Sequence, residues 1–207
     1  MSTSFQVAQA DFADALSDGL LGAGTDKFLP MLCAVFMEGT AGDQFVTFTA
    51  TDRFMLVHRR ISTVEPLGES FGALIPADQV KLLIGVHKAA RGARRAPAAP
   101  LDVTIELPHL TAGSITVPLD TTHEFVKYRS LLPKESTSEI DVLPVNLALL
   151  VRVSKMSTYS KRAGVRLRFA GINKHDEGKP PRLIVVEFAG RDDDDVTVIL
   201  MPMRLPG

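Results

Sequence analysis

Twice in this chain an apolar strand runs into a proline and the residues beyond it take up helical spacing. Leu74-Ile75-Pro76 leads to Val80, Leu83, Ile84 and His87, and Val142-Leu143-Pro144 leads to Leu147, Leu150, Val151 and Ser154. Proline lacks the backbone donor that a strand ladder needs, but its fixed φ suits the first turn of a helix. A third copy without the proline opens the chain. Ser4 to Val7 reads as a strand, and Ala10 to Leu21 places Phe12, Ala15, Leu16 and Leu20 on one helical face before Gly22 and Gly24 stop it.

Each helix is followed by strands. After the first come the apolar run Leu32 to Met37, a turn over Gly39 to Gln44, the alternating Phe45 to Thr49, and Arg53 to Ile61, which makes a βαβββ unit. After the second, Leu101 to Leu107 alternates, His109 to Gly113 reads as a turn and Ser114 to Val117 as a returning strand, a βαβ-type unit. After the third, Gly164 ends the helix, Val165 to Phe169 alternates, Gly171 to Lys179 is a polar insert, and Leu183 to Phe188 precedes the last strand. The fold class expected is α+β, with helices layered on one side of antiparallel sheets.

With 207 residues, 45% of them hydrophobic, there is room for one large or two small domains. A net charge of −1 means that any nucleic-acid affinity rests on local clusters of Lys and Arg. The single Cys33 sits in an apolar run and reads as a small buried hydrophobe. The first twenty residues carry Asp11, Asp14 and Asp18 without a basic segment, and no apolar run approaches the roughly 18 residues of a membrane span, so a soluble, cytoplasmic protein is expected. His58, His87, His109, His123 and His175 lack metal-ligand spacing, and Gly19 to Asp26 lacks the Lys and hydroxyl residue of a phosphate loop. The run Asp192 to Asp195 reads as a solvated hairpin tip. No catalytic residue, metal or cofactor is expected.

The last strand, Val196 to Met201, loses its ability to pair at Pro202, and Met203-Arg204-Leu205 follows. Soft Met side chains flanking a proline suit an adaptable apolar groove. Four stretches in order, Leu29-Pro30-Met31-Leu32, Ala50-Thr51-Asp52-Arg53-Phe54-Met55-Leu56, Glu124 to Pro133 and the Met-Pro-Met-Arg-Leu tail, resemble the bacterial DNA polymerase III beta subunit, the replicative sliding clamp.

That resemblance implies a clamp fold and no active site. It implies a peptide-binding groove built from Leu32, Thr51, Leu56, Leu131, Ile199, Leu200, Met201, Pro202, Met203 and Arg204, which would receive a DNA polymerase or other clamp-binding proteins. Arg53, Phe54 and Met55 replace smaller or differently charged residues of common clamps, and Val126 stands where proline is usual, so partner preference is expected to differ. Residues 1–133 resemble the whole second clamp domain, and residues 134–207 resemble one unit of the third, which would make the chain a shortened clamp without a first domain.

A protein that encircles duplex DNA needs sequence-independent phosphate contacts. Lys81, Lys88 and Arg91, continued by Arg94 and Arg95, and Arg152 and Lys155, continued by Lys161 and Arg162, are the candidates on the second and third helices, whereas Asp11, Asp14 and Asp18 form an acidic stripe on the first. The alternative is a clamp mimic that binds clamp-interacting proteins without encircling DNA. The third unit has no sibling in the sequence, so Leu147, Leu150, Val151 and an unpaired Leu183 to Phe188 edge would favour a homo-oligomer.

Overall fold

The computed structural model describes residues 2–91, 100–132, 145–156, 165–170, 183–188 and 196–202. The first unit comprises β1 (Ser2–Ala8), α1 (Gln9–Gly22), β2 (Ala34–Gly39), β3 (Phe45–Thr51) and β4 (Met55–Ser62). The second comprises β5 (Phe71–Pro76), α2 (Ala77–Arg91), β6 (Pro100–Glu106), β7 (His109–Ala112) and β8 (Ile115–Pro118). The third contains α3 (Leu147–Val153), β9 (Val165–Ala170), β10 (Leu183–Phe188) and β11 (Val196–Leu200). The expected strand over Glu139 to Val142, the Asp192 to Asp195 tip and the polar insert lie outside the described residues.

The first two units exchange their opening strands. β1 joins the sheet β1-β6-β7-β8, and β5 joins β2-β3-β4. The exchange is reciprocal, so neither unit can complete its sheet alone. One core accordingly runs through both: Phe5 and Val7 of β1, Phe12 and Leu16 of α1, Phe48 of β3, Val80 and Leu83 of α2, and Val103 and Leu110 of the smaller sheet are all buried in it. The helices α1 and α2 pack on each other. Gly22 ends α1 where a side chain would not fit, since a Cβ there would lie 2.9 Å from the Ala50 carbonyl oxygen and 3.0 Å from Val57.

His109 to Ala112 is a strand, not the turn expected. Leu107 and Pro108 make the bend themselves, since β6 and β7 pair from Glu106 opposite His109 onward, and Gly113 at φ +59° makes the next one. The second unit is therefore also βαβββ. Pro76 closes β5, and α2 begins one residue later.

β4 is the pivot of the molecule. It pairs with β3 on one side and β11 on the other, so the larger sheet runs β5-β2-β3-β4-β11-β10-β9 and carries the third unit on the first. Strand side chains alternate between faces. Met55, Val57, Arg59 and Ile61 turn to the helix side, while Leu56, His58 and Arg60 turn to the other face. On the helix side Met55 and Val57 meet Leu149, Val153 and Met156, with Ile184, Val186, Val198 and Leu200 from the third-unit strands.

One expectation for the third unit changes. Strand β10 is not an open edge: it pairs with β11 and β9, and all six of its residues are buried. The open edge of that unit, among the described residues, is β9. The apolar surface expected on α3 is exposed at Leu147 and Val151 and half-buried at Leu150, while the helix docks through Leu149 and Val153. Leu147-Ala148-Leu149-Leu150-Val151 is apolar on every side, so helical spacing does not choose a face there and the sheet beneath does.

The acidic stripe on α1 is also overturned. Asp11 is exposed, but Asp18 is fully buried and its carboxylate accepts a charged hydrogen bond from Arg59 of β4. α1 sinks toward the sheet at its C-terminal end, where Gly19 and Gly22 allow close approach to β2, β3 and β4, and this carries Asp18 inside.

Candidate functional site

The turn from β3 to β4 is held by side chains of its own sequence. Thr51 Oγ1 donates to the Met55 carbonyl at 2.8 Å and accepts from the Arg53 N–H at 3.2 Å. Asp52 Oδ1 accepts from the N–H groups of Phe54 at 3.0 Å and Met55 at 2.8 Å. This corset holds Arg53 at φ +78°, in the left-handed region, and leaves the Phe54 ring exposed. The Phe54 carbonyl accepts the Met201 N–H at 2.9 Å, so the chain leaving β11 is fastened beside the turn.

Two features flank Phe54. On one side lies an open cavity of about 430 Å³, lined by Leu20, Leu21, Leu29, Leu32 and Phe54 together with Asp26, Asp52, Arg53 and Arg152. On the other, Leu56, Leu183, Val185, Ile199 and Tyr128 form an apolar cluster on the outer face of the larger sheet, with Phe36, Phe125, Leu131, Leu132 and Met201 half-buried around it.

That cluster owes its form to the segment after β8, which crosses the sheet as a strap. Phe125 stacks on Phe36 with ring centroids 5.1 Å apart, and the Tyr128 ring lies 5.4 Å from that of His58. The Tyr128 hydroxyl donates to Glu38, which also pairs with Arg129 at 3.0 Å. Burial and the Glu38 carboxylate push the Tyr128 hydroxyl up to about 12. Burial pulls His58 down to about 4, although Glu38 opposes the shift; its Nδ1 lies 2.8 Å from Thr49 Oγ1, and Arg129 and Arg60 act in the same direction as burial.

His58 therefore makes the fold sensitive to acid. Its folded pKa lies below the ordinary 6.5, so the unfolded chain binds more protons between these values, and stability is full above about pH 6.5 and falls as pH drops toward 4. At about 1.36 kcal/mol per unit, the loss from pH 7 to pH 5 is about 2 kcal/mol. Urea unfolding of wild type and His58→Gln at both pH values measures it; an equal pH dependence in the two proteins contradicts the assignment.

The expected groove residues are only partly brought together. Leu56 and Ile199, at 1% and 0% exposure, are floor rather than lining. Leu131 and Met201 stand half-buried at the rim of the same cluster, and Pro202 follows half-buried. Leu32 belongs to the neighbouring cavity and Thr51 to the corset of the turn. Leu200 faces the other way, into the core under α3, because alternation in β11 puts it opposite Ile199. Met203 and Arg204 lie outside the described residues. Phe36, Phe125 and Tyr128 join the site without having been expected in it, although Phe125 and Tyr128 lie inside one of the recognised stretches, and Phe54 joins it as one of the replaced positions expected to alter partner preference.

Of the basic candidates, Lys81 is exposed on α2 and Lys155 is exposed just beyond α3. Lys88 and Arg91 fall on α2 by position, but their side chains are outside the described set, as are Arg94, Arg95, Lys161 and Arg162 altogether. Arg152 is engaged within the chain. It pairs with Asp52 at 2.5 Å, and its Nε donates to the Leu21 carbonyl at 2.9 Å, which ties α3 to the β3–β4 turn and to the end of α1. Among the described residues no three His, Cys, Asp or Glu are grouped to hold a metal ion, and no helix is long and apolar enough to cross a membrane.

Paired βαβββ units with exchanged strands, and a third unit continuing the sheet across β4 and β11, form an α+β clamp architecture. The fold is that of the bacterial DNA polymerase sliding clamps. It matches the sliding clamp from Bacillus subtilis (13% identity, TM-score 0.66, 98% of this chain and 64% of that one) and that from Pseudomonas aeruginosa (14%, 0.68, 98% and 67%). It also matches the DNA polymerase III subunit beta from Borrelia burgdorferi, solved in complex with a natural product (12%, 0.73, 98% and 64%). The chain thus spans 64–67% of the length of these clamps. No protein-family model matches the sequence.

Proposed function

We propose that the protein works as a sliding clamp, binding short peptide segments of replication or repair proteins beside Phe54 and holding those proteins near duplex DNA as a processivity factor. The observation that carries this reading is the β4–β11 pairing: it fastens the outgoing Met201-Pro202 beside Phe54, at an open cavity lined by leucines together with Asp26, Asp52, Arg53 and Arg152. Tethering raises the partner's local concentration at its template, so no catalytic step is required. Residues 1–133 and 134–207 act in this reading as a complete and a partial clamp domain.

The test is a fluorescence-anisotropy titration with a peptide from a clamp-binding polymerase. Met201→Asp and Leu131→Asp are expected to weaken binding about 30-fold each, from about 2 kcal/mol per buried anchor. Leu56 is unsuitable for a charged replacement, since at 1% exposure the change would attack the fold. Absence of binding by wild type at high concentration rejects the reading.

Contact with duplex DNA through Lys81 and Lys155, with Lys88 and Arg91 further along α2, belongs to the same proposal. Lys81→Glu with Lys155→Glu is expected to lower retention on circular DNA and to reduce the log–log salt slope by about 0.9 for each phosphate that is no longer neutralised. The engagement of Arg152 with Asp52 favours a second reading, a clamp mimic that binds the same peptides without encircling DNA. Retention on circular DNA and mass by light scattering separate the two, a closed ring needing more than one copy of this chain.

A further inference from the structure

We infer that Arg53 reads the charge of the bound peptide, selecting segments that carry an acidic residue next to their apolar anchor; the inference rests on the peptide-binding reading above. Three observations lead to it.

The first is conformational. Arg53 holds φ at +78°, a conformation disfavoured by any residue with a Cβ and suited to glycine. Four hydrogen bonds from Thr51 and Asp52 enforce the turn regardless of which residue occupies its tip. The fold therefore has no need of an arginine there, and backbone strain of this kind is characteristic of sites where the side chain is used.

The second is electrostatic. The cavity is lined by two cations and two carboxylates. Arg152 is satisfied by Asp52 and the Leu21 carbonyl, and Asp26 Oδ1 already accepts the Phe28 N–H at 3.0 Å. Arg53 is exposed, and its guanidinium lies over the Phe54 ring at 5.9 Å from the centroid, a weak contact that leaves its donors open to a carboxylate.

The third is position. Arg53 and the exposed Phe54 are adjacent at the cavity mouth, so an apolar side chain entering beside Phe54 brings its sequence neighbours to the guanidinium.

The probes are three six-residue peptides sharing two leucine anchors and a phenylalanine and differing at one intervening position, Asp, Asn or Lys. Wild type is expected to bind the Asp peptide about 5–10-fold more tightly than the Asn peptide, within the range of one exposed charge-assisted hydrogen bond, and Lys least of all. Arg53→Gly, which suits the backbone and keeps the turn, should bind all three within a factor of two of each other. Arg53→Glu should prefer Lys. A wild-type Asp preference below twofold, or one that survives in Arg53→Gly, overturns the role of Arg53 while leaving the groove intact. Failure of all three peptides to bind wild type and Arg53→Gly alike overturns the groove reading and this inference with it.

Discussion

Replacing Asp18 by Ala is expected to lower the stability of the fold by about 3–5 kcal/mol, the range for removing one partner of a buried ion pair. Asp18 has no exposed side-chain area and Arg59 has 3%, so neither charge can fall back on water. The cost arises from taking a charged acceptor away from a guanidinium held beneath α1 in a low-dielectric setting. A double replacement, Asp18→Leu with Arg59→Met, removes both charges and should recover most of the loss. Urea unfolding gives the answer through the midpoint at unchanged slope. An Asp18→Ala protein within 1 kcal/mol of wild type, or a double variant no better than the single, would show that the pair does not hold α1 to β4.

Asp18 also shows where a sequence stops being legible. Helical spacing puts Asp11, Asp14 and Asp18 on one stripe, and that geometry is right for an isolated helix. It cannot say how deeply each turn sinks into the sheet, which depends on Gly19 and Gly22 meeting Val35, Val57 and the Ala50 carbonyl from strands far along the chain. The repeated units are readable because strand and helix periods are local properties of the chain. The exchange of β1 and β5 between sheets is not, because the same alternating pattern satisfies either partner. For the same reason the edge expected at β10 fails: the strand is paired on both sides, and six consecutive buried residues fit a strand covered on both faces.

The candidate site divides in the same way. Its position at the end of β11 is legible from Pro202, and Thr51 and Leu131 come with recognised motifs. The opposite orientations of Ile199 and Leu200 follow from alternation once β11 is paired with β4, and nothing before that pairing fixes which of them faces out. The strap over the outer face reads as a linker in the sequence because its contacts, Phe125 on Phe36 and Tyr128 to Glu38, join residues about ninety positions apart.

The expected result of Arg152→Gln is a protein whose third unit has come loose. α3 has only seven residues, too few to be helical without tertiary support. Its support is the docking of Leu149 and Val153 and the grip of Arg152 on Asp52 and the Leu21 carbonyl. Glutamine cannot reproduce that grip, and it leaves the Asp52 carboxylate, itself only 18% exposed, without its cation. A loss of about 3 kcal/mol is expected, at the upper end for hydrogen bonds between charged groups and below the fully buried Asp18 case, because the Arg152 side chain keeps 26% of its surface in water. Asp52 also caps the N–H groups of Phe54 and Met55, so the disturbance should spread to the turn beside the cavity. Amide exchange should accelerate in α3 and at Phe54 while the β6–β8 sheet keeps its protection. If instead Arg152→Gln leaves exchange and unfolding unchanged and only shortens retention on circular DNA, its guanidinium spends its time on phosphate, and the tie to Asp52 is not what holds the third unit in place.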